Sequence, residues 1–362
     1  MKNSNLVFSF VSVTTTVLLL GCGGGGSTNS IASNAYQGSG STWSITSKSD
    51  GTCTLTEKDS NLNVYATCST LSSGFTKIVV NSSTGGNSSL AAPATNAVTY
   101  AFEIAGYMMP FMAFGENKVV PTVLAGNCTP SLNHNYVVSF ANLGTLTDYT
   151  GWSLMGNYSL TNGRFIANRF KADGTAMQGW DEQRNISCNN NGIFEDNDPS
   201  GSFVRLYFTK DGGAIFYRDS TKTSPAQDGL STENDFMLPI GNDITTLTQL
   251  DGNYIGFVAT SQGAGNYSTA PVRAGVVNGA FTINSLSGAE LVTSNSHSSF
   301  SLNATKVASG LYKGSLTHIN SGGSIGCAIN ANIGSQKTVI CSGIDPSDNT
   351  NKTLYSVILR SI

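Results

Sequence analysis

The residues best suited to ion chemistry lie in SCNNNGIFEDNDPSG, Ser187 to Gly201. Asn189, Asn191, Glu195 and Asp198 set oxygen-bearing side chains at short intervals around Gly192, with apolar Phe194 among them. A calcium loop needs about six to eight oxygens and a glycine at its sharp turn. The stretch departs from that pattern at its first position, which is Ser187 rather than Asp, and it carries Cys188 beside it. A weak calcium site of the extracellular kind is therefore one expectation, and a solvated, Asn-rich acidic turn is the other. No further cofactor is implied. Trp43, Trp152 and Trp180 could stack on sugar rings, with Asp181 and Glu182 placed to accept from hydroxyls, although core burial is the commoner use of a Trp. Met108, Met109 and Met112 beside Phe111 and Phe114 read either as a greasy partner surface or as two core strands meeting at Pro110. Catalytic patterns are missing: there is no G-x-S-x-G, no H-E-x-x-H and no phosphate-binding loop, and His134, His297 and His318 stand apart. A hydrolytic carboxylate pair that meets only in space stays open.

The amino terminus has a different chemistry. Lys2 precedes an apolar run, Leu6 to Leu20, whose fifteen residues fall short of the roughly twenty that span a bilayer. It reads as a removable export signal. Its end, Leu19-Leu20-Gly21-Cys22, resembles the lipobox of bacterial lipoprotein precursors. That resemblance implies removal of residues 1–21, diacylation of the Cys22 thiol with palmitate-type chains, and acylation of the new amino terminus. Two or more chains hold a protein on a membrane stably, where one does not. In diderm bacteria, Asp after the lipidated cysteine favours inner-membrane retention; Gly23 stands there, so the resemblance implies an outer-membrane protein. Residues 22–35, and the Gly/Ser/Asn-rich run on to about Ser41, read as a flexible tether with a root-mean-square span of roughly 25 Å.

With Cys22 lipidated, six cysteines remain, an even set suited to disulfides in an oxidising compartment. Cys53 and Cys68 flank TLTEKDSNLNVYAT, which reads as a hairpin turning near Ser60-Asn61, so the two should face each other. Cys327 and Cys341 flank AINANIGSQKTVI, with Gly334 at the centre of a three-residue loop. Cys128 and Cys188 are left to pair across a longer closure. Metal or redox roles lack a C-x-x-C and lack His at ligand spacing.

The elements that must position these groups are strands. Val98-Tyr100-Phe102-Ile104, Tyr136-Val138-Phe140, Val204-Leu206-Phe208 and Tyr355-Val357-Leu359 alternate with period two. No stretch keeps a helical period. Asp50-Gly51, Asp173-Gly174 and Asp211-Gly212 supply hairpin turns between such runs. LMGNY at Leu154 and LDGNY at Leu250 share a strand-opening pattern, as FKADGTA at Phe170 and FTKDGGA at Phe208 share another. The fold class is all-β: antiparallel, hairpin-rich barrels or sandwiches. A β-rich region, 36–240, forms one unit or two. The polar stretch Gly241 to Gln249 marks a boundary, and 250–362 forms a barrel or sandwich with turns every eight to twelve residues.

Charged residues make up only 11% of the chain, with a net charge of −3 and no basic stripe, which argues against nucleic acid and anionic lipid surfaces as partners. Three functions fit: a lipid-anchored envelope protein that binds an envelope protein, a glycan or a small ligand; a structural or adhesive surface component; and a hydrolase with a cryptic carboxylate pair.

Overall fold

The computed structural model describes residues 33 to 362 except 39–42, 59, 89, 105–108, 115–118, 121, 125–130, 139–154, 184–185, 189–192, 197–202, 209–213, 220–231, 262–266, 318–322, 334–335 and 345–353. The protein is all-β and antiparallel. Among the described residues the only helical element is a 3-10 turn, Leu247–Leu250.

Three sheets follow one another along the chain. The first contains β1 (Ser33–Gly38), β2 (Trp43–Lys48), β3 (Thr52–Glu57), β4 (Leu62–Thr70), β5 (Thr76–Thr84), β6 (Val98–Ala101), β7 (Phe111–Met112), β8 (Val119–Val120) and β9 (Thr122–Leu124). It is a meander, except that β9 pairs with β1. The two ends of the sheet, β8 and β9, are separated by one residue, Pro121. Val119–Val120 therefore bonds to β7 and Thr122–Leu124 to β1, so adjacent strands serve both edges of a nearly closed sheet. Thr122 reinforces the seam: its carbonyl accepts from Met109 N at 2.8 Å and its hydroxyl donates to Met109 O at 2.6 Å.

β1 begins at Ser33, so it occupies residues that the sequence reading gives to the tether. The cause is Tyr36, a large side chain fully buried in the sheet's core, whose hydroxyl donates to Glu103 Oε1 at 3.2 Å.

The second sheet uses the same device. Its strands are β10 (Ser131–Val138), β11 (Met155–Thr161), β12 (Arg164–Phe170), β13 (Trp180–Gln183), β14 (Ile186–Cys188), β15 (Ile193–Asp196), β16 (Phe203–Phe208), β17 (Ala214–Asp219) and β18 (Thr232–Pro239). Its central pair is β10 with β18, and its two ends, β13 and β14, are only residues 184–185 apart in sequence. Three peptide steps keep Gln183 and Ile186 within about 11 Å of each other, so the two edge strands stay neighbours at that point. Tyr136 stacks on Tyr158 at 4.1 Å between ring centroids, and Phe165 lies 4.8 Å from Tyr158.

The third sheet is a closed up-and-down barrel: β19 (Gly252–Ser261), β20 (Tyr267–Val277), β21 (Ala280–Ser287), β22 (Thr293–Ala308), β23 (Leu311–Leu316), β24 (Ser324–Ile333), β25 (Gln336–Ile344) and β26 (Leu354–Ser361), with β26 returning to β19.

Both faces of much of this barrel are apolar, for different reasons. Tyr254, Val272, Phe281, Phe300, Cys327 and Val357 belong to the cluster that fills its interior, as expected for eight strands. The alternate residues Ile255, Phe257, Leu311, Ala328, Ile340 and Ile358 face outward into a second cluster. There they meet Phe75 and Phe102 of the first sheet and Val137, Met155 and Leu238 of the second. Gly256 takes an inward position at which a Cβ would lie 1.8 Å from Ile358 O, so only glycine permits that close approach of β19 and β26.

The linker between β18 and β19 is held in place. Asp243 accepts from Gly310 N at 2.8 Å and Ser309 Oγ at 3.1 Å and pairs with Lys306, while Tyr312 OH accepts from Ile244 N at 2.8 Å.

Candidate binding surfaces

Cys53 and Cys68 are bonded, and so are Cys327 and Cys341. The two bridges differ in register. Cys327 directly opposes Cys341, with Cα atoms 4.1 Å apart, whereas Cys53 opposes Ala66 and reaches Cys68 diagonally, with Cα atoms 5.9 Å apart. Cys68 N bonds to Gly51 O at 2.7 Å and fixes that diagonal. The Cys327 hairpin also turns more tightly than a three-residue loop. Ile333 pairs with Gln336, and a register shift after Asn330 absorbs the odd residue. Cys22 and Cys128 lie outside the described residues. Cys188 is described only as backbone in β14.

The candidate calcium stretch becomes a hairpin. Ser187 pairs with Glu195 and Cys188 with Phe194, so Glu195 belongs to a strand ladder and residues 189–192 join its two strands. Asn189, Asn191 and Asp198 lie outside the described residues, as does the side chain of Glu195. Among the described residues no group of three or more His, Cys, Asp or Glu side chains could hold a metal ion.

Described carboxylates serve local structure. Asp50 accepts from Thr52 N at 2.8 Å, and Asp173 from Thr175 N at 2.8 Å. Glu57 accepts from Ser60 N at 2.7 Å, and Asp181 takes a bidentate pair from Arg164, one arm at 2.8 Å. Hydrogen bonds from these partners hold Asp50, Asp173 and Asp181 below the ordinary carboxylate range. Trp43 is core, edge-on to Phe111 at 5.5 Å. Met109, Phe111 and Phe114 are buried in the same cluster and Met112 is half-buried against the cluster shared with the barrel, so these residues are core; Met108 lies outside the described residues. His297 is the extra residue of a bulge between β21 and β22, and its Nδ1 lies 3.0 Å from Ser298 Oγ, which bonds in turn to Tyr355 OH at 2.8 Å.

The barrel interior is packed with side chains, among them the disulfide that links neighbouring strands β24 and β25, so recognition falls to its ends and to outer faces. The ends are unequal. At one, the strands join through residues 278–279, 309–310 and 334–335, two at a time. Asn278 and Gly279 are both left-handed there, the pairing that tight hairpins demand. At the other end the joining segments are residues 262–266, 288–292, 317–323 and 345–353. One of these docks on the first sheet: Glu290 pairs with Lys77 at 2.6 Å, and Tyr100 OH donates to Gly288 O at 3.2 Å.

A second surface is the outer face of β2 to β5. Pairing aligns Thr46, Thr54, Tyr65 and Ser82 in one row and Ser44, Thr56, Asn63 and Thr84 in the next. Ser44 and Thr56 share a hydrogen bond of 2.5 Å, and Asn81 Nδ2 donates to Thr67 Oγ1 at 3.1 Å. Tyr65 is 48% exposed, the only aromatic among the large exposed side chains described. The composition signal was present in the sequence as the Thr and Ser alternating with Ile, Leu and Val from Trp43 to Thr67, but the row through Tyr65 needed the register.

No protein-family model matches the chain, and no curated protein does. Among solved structures it is similar to a double mutant of transferrin binding protein B, a vaccine antigen of Haemophilus parasuis Hp5, at 10% identity over 91% of this chain and 76% of that one, with a TM-score of 0.31. Transferrin binding protein B of serogroup B Neisseria meningitidis gives 9% identity over 88% of this chain and 65% of that one, with a TM-score of 0.29.

Proposed function

We propose that this chain is a lipid-anchored protein of the bacterial outer membrane whose β body binds a partner through outer surfaces and loops, and that it is not an enzyme. Leu19-Leu20-Gly21-Cys22 supports the anchor, and Gly23 supports the outer membrane. The filled barrel carries the binding half of the reading. With Tyr254, Phe281, Phe300 and the Cys327–Cys341 bridge inside it, the eight-stranded ring is a scaffold and not a ligand cup. Rigid strands that hand long segments to one end and two-residue turns to the other suit recognition at the long-segment end. Disulfides fit an oxidising location outside the cytoplasm.

The test is metabolic labelling with a palmitate analogue in a diderm host, followed by membrane fractionation. The native chain should take up label and sediment with outer membranes, and Cys22→Ser should lose both properties. Equal labelling of the two chains would overturn the anchor. Sedimentation with inner membranes would overturn the location.

A further inference from the structure

The outer face of β2 to β5 has a composition that its fold does not require. Its central rows hold Ser44, Thr46, Thr54, Thr56, Asn63 and Ser82 around Tyr65, without a charged side chain; Lys48 and Asp50 stand at the rim. Recognition surfaces lose charge at their centre and gain Tyr. Neighbouring strands place these groups about 4.8 Å apart, and alternate residues along a strand about 6.8 Å apart. The result is a grid of short, stiff donors and acceptors, with Ser44 and Thr56 hydrogen-bonded to each other within it and Thr67 and Asn81 paired beside it.

We propose that this face binds a neutral glycan, with a sugar ring stacked on Tyr65 and its hydroxyls bonded to the flanking Thr, Ser and Asn side chains. This rests on the reading of the chain as an envelope binding protein and names its ligand class. A sugar presents an apolar face of C–H groups and a rim of hydroxyls that each donate and accept, which matches one exposed ring set in hydroxyl and amide groups. A protein partner fits less well. Protein interfaces centre on a cluster of apolar and aromatic anchors, and here the other large exposed apolar side chain described on this sheet, Val98, lies on β6, opposite Val79 and two strands from Tyr65. Polyanionic glycans have no cation to meet in the central rows.

The experiment uses the complete chain with Cys22→Ser, screened on an array of neutral and anionic glycans, followed by calorimetric titration of the best neutral oligosaccharide. The expected result is saturable binding with a dissociation constant between about 10 μM and 1 mM. Tyr65→Ala should weaken it at least about tenfold, and Tyr65→Phe should stay within about threefold of the parent, because the stacking ring is kept. Thr54→Lys should also weaken it, since a long cation then covers the grid. Tyr65 is half-exposed, so the melting temperature should be unchanged in each variant and loss of folding is separated from loss of binding. No neutral glycan bound, binding indifferent to Tyr65→Ala, or binding confined to anionic glycans or to a protein would each overturn the proposal. Palmitate labelling of the native chain is read separately, so failure of the anchor and failure of the glycan site are distinguishable.

Discussion

Phe257 of the barrel lies against Phe102 of the first sheet, ring centroids 5.1 Å apart and planes tilted by 58°. Phe75 completes the contact, 5.9 Å from Phe102 and 5.7 Å from Phe257. Three aromatic rings from two sheets thus share one buried cluster, with Gly74 O accepting from Arg360 Nη2 at 3.1 Å beside them. Phe257→Ala should cost about 3 to 5 kcal/mol, the usual penalty for emptying a buried aromatic site. Glu290→Gln, at the exposed rim of the same contact, should cost less than about 1 kcal/mol. Urea unfolding of both variants checks the order, and equal shifts in midpoint would refute the aromatic cluster as the joint.

The two described bridges should differ in worth. Each closes a loop of similar length, for which the chain-entropy estimate is about 3 kcal/mol. Cys327 and Cys341 are both fully buried in the barrel interior, whereas Cys53 is core and Cys68 only partly buried, so the Cys327→Ala/Cys341→Ala chain should lose more than Cys53→Ala/Cys68→Ala by on the order of 1 kcal/mol. Unfolding under non-reducing conditions measures the difference. Peptide mapping of the same material should place Cys128 with Cys188.

Asp243 gives the linker a pH dependence. Its bond to Lys306 first, then those to Gly310 N and Ser309, hold its carboxyl below the ordinary carboxylate range. A carboxyl depressed in the folded state adds stability above its unfolded pKa of about 3.9, and loses it as pH falls through the lower folded value. Asp243→Asn should therefore lower stability at pH 7 by on the order of 1 kcal/mol, since Asp243 is half-buried and its partner Lys306 is exposed to solvent screening. At about pH 3 the gap between the two proteins should shrink. A gap that widens in acid would contradict the assignment of those hydrogen bonds.

Calcium should leave the melting curve where it is. A loop that wraps a calcium ion must supply about six to eight oxygens, and pairing of Ser187 with Glu195 leaves only residues 189–192 between the strands. Thermal melts in millimolar calcium and in chelator should coincide. A rise of about 3 °C that Asp198→Ala abolishes would show that the stretch binds the ion.

Much of the strand plan was legible because it depends on near neighbours. Alternation in Trp43–Lys48 or Leu62–Thr70 reports one buried face, and Gly51 and Gly174 are left-handed at two of the Asp-Gly turns. Asn162-Gly163 and Asn278-Gly279 carry the same signal, both residues of each pair being left-handed, and they pin two further hairpins. The hairpin cysteines could be paired by eye because a strand and its return place them side by side. The diagonal reach of Cys53 could not, since it depends on where β4 falls opposite β3.

The sequence by itself determined the class of fold and the positions of local turns such as Asp50-Gly51 and Asn278-Gly279, both of which reside in short stretches. Tertiary structure alone decided that Val119 to Leu124 serves two edges of one sheet, that Phe257 faces Phe102 while Tyr254 faces the barrel interior, and that Trp43 is buried while Tyr65 is not. The physical reason is that alternation tells which residues share a face and is silent about what covers it. A barrel strand buried on both sides and a sheet strand wet on one side differ only in a partner brought from a distant part of the chain.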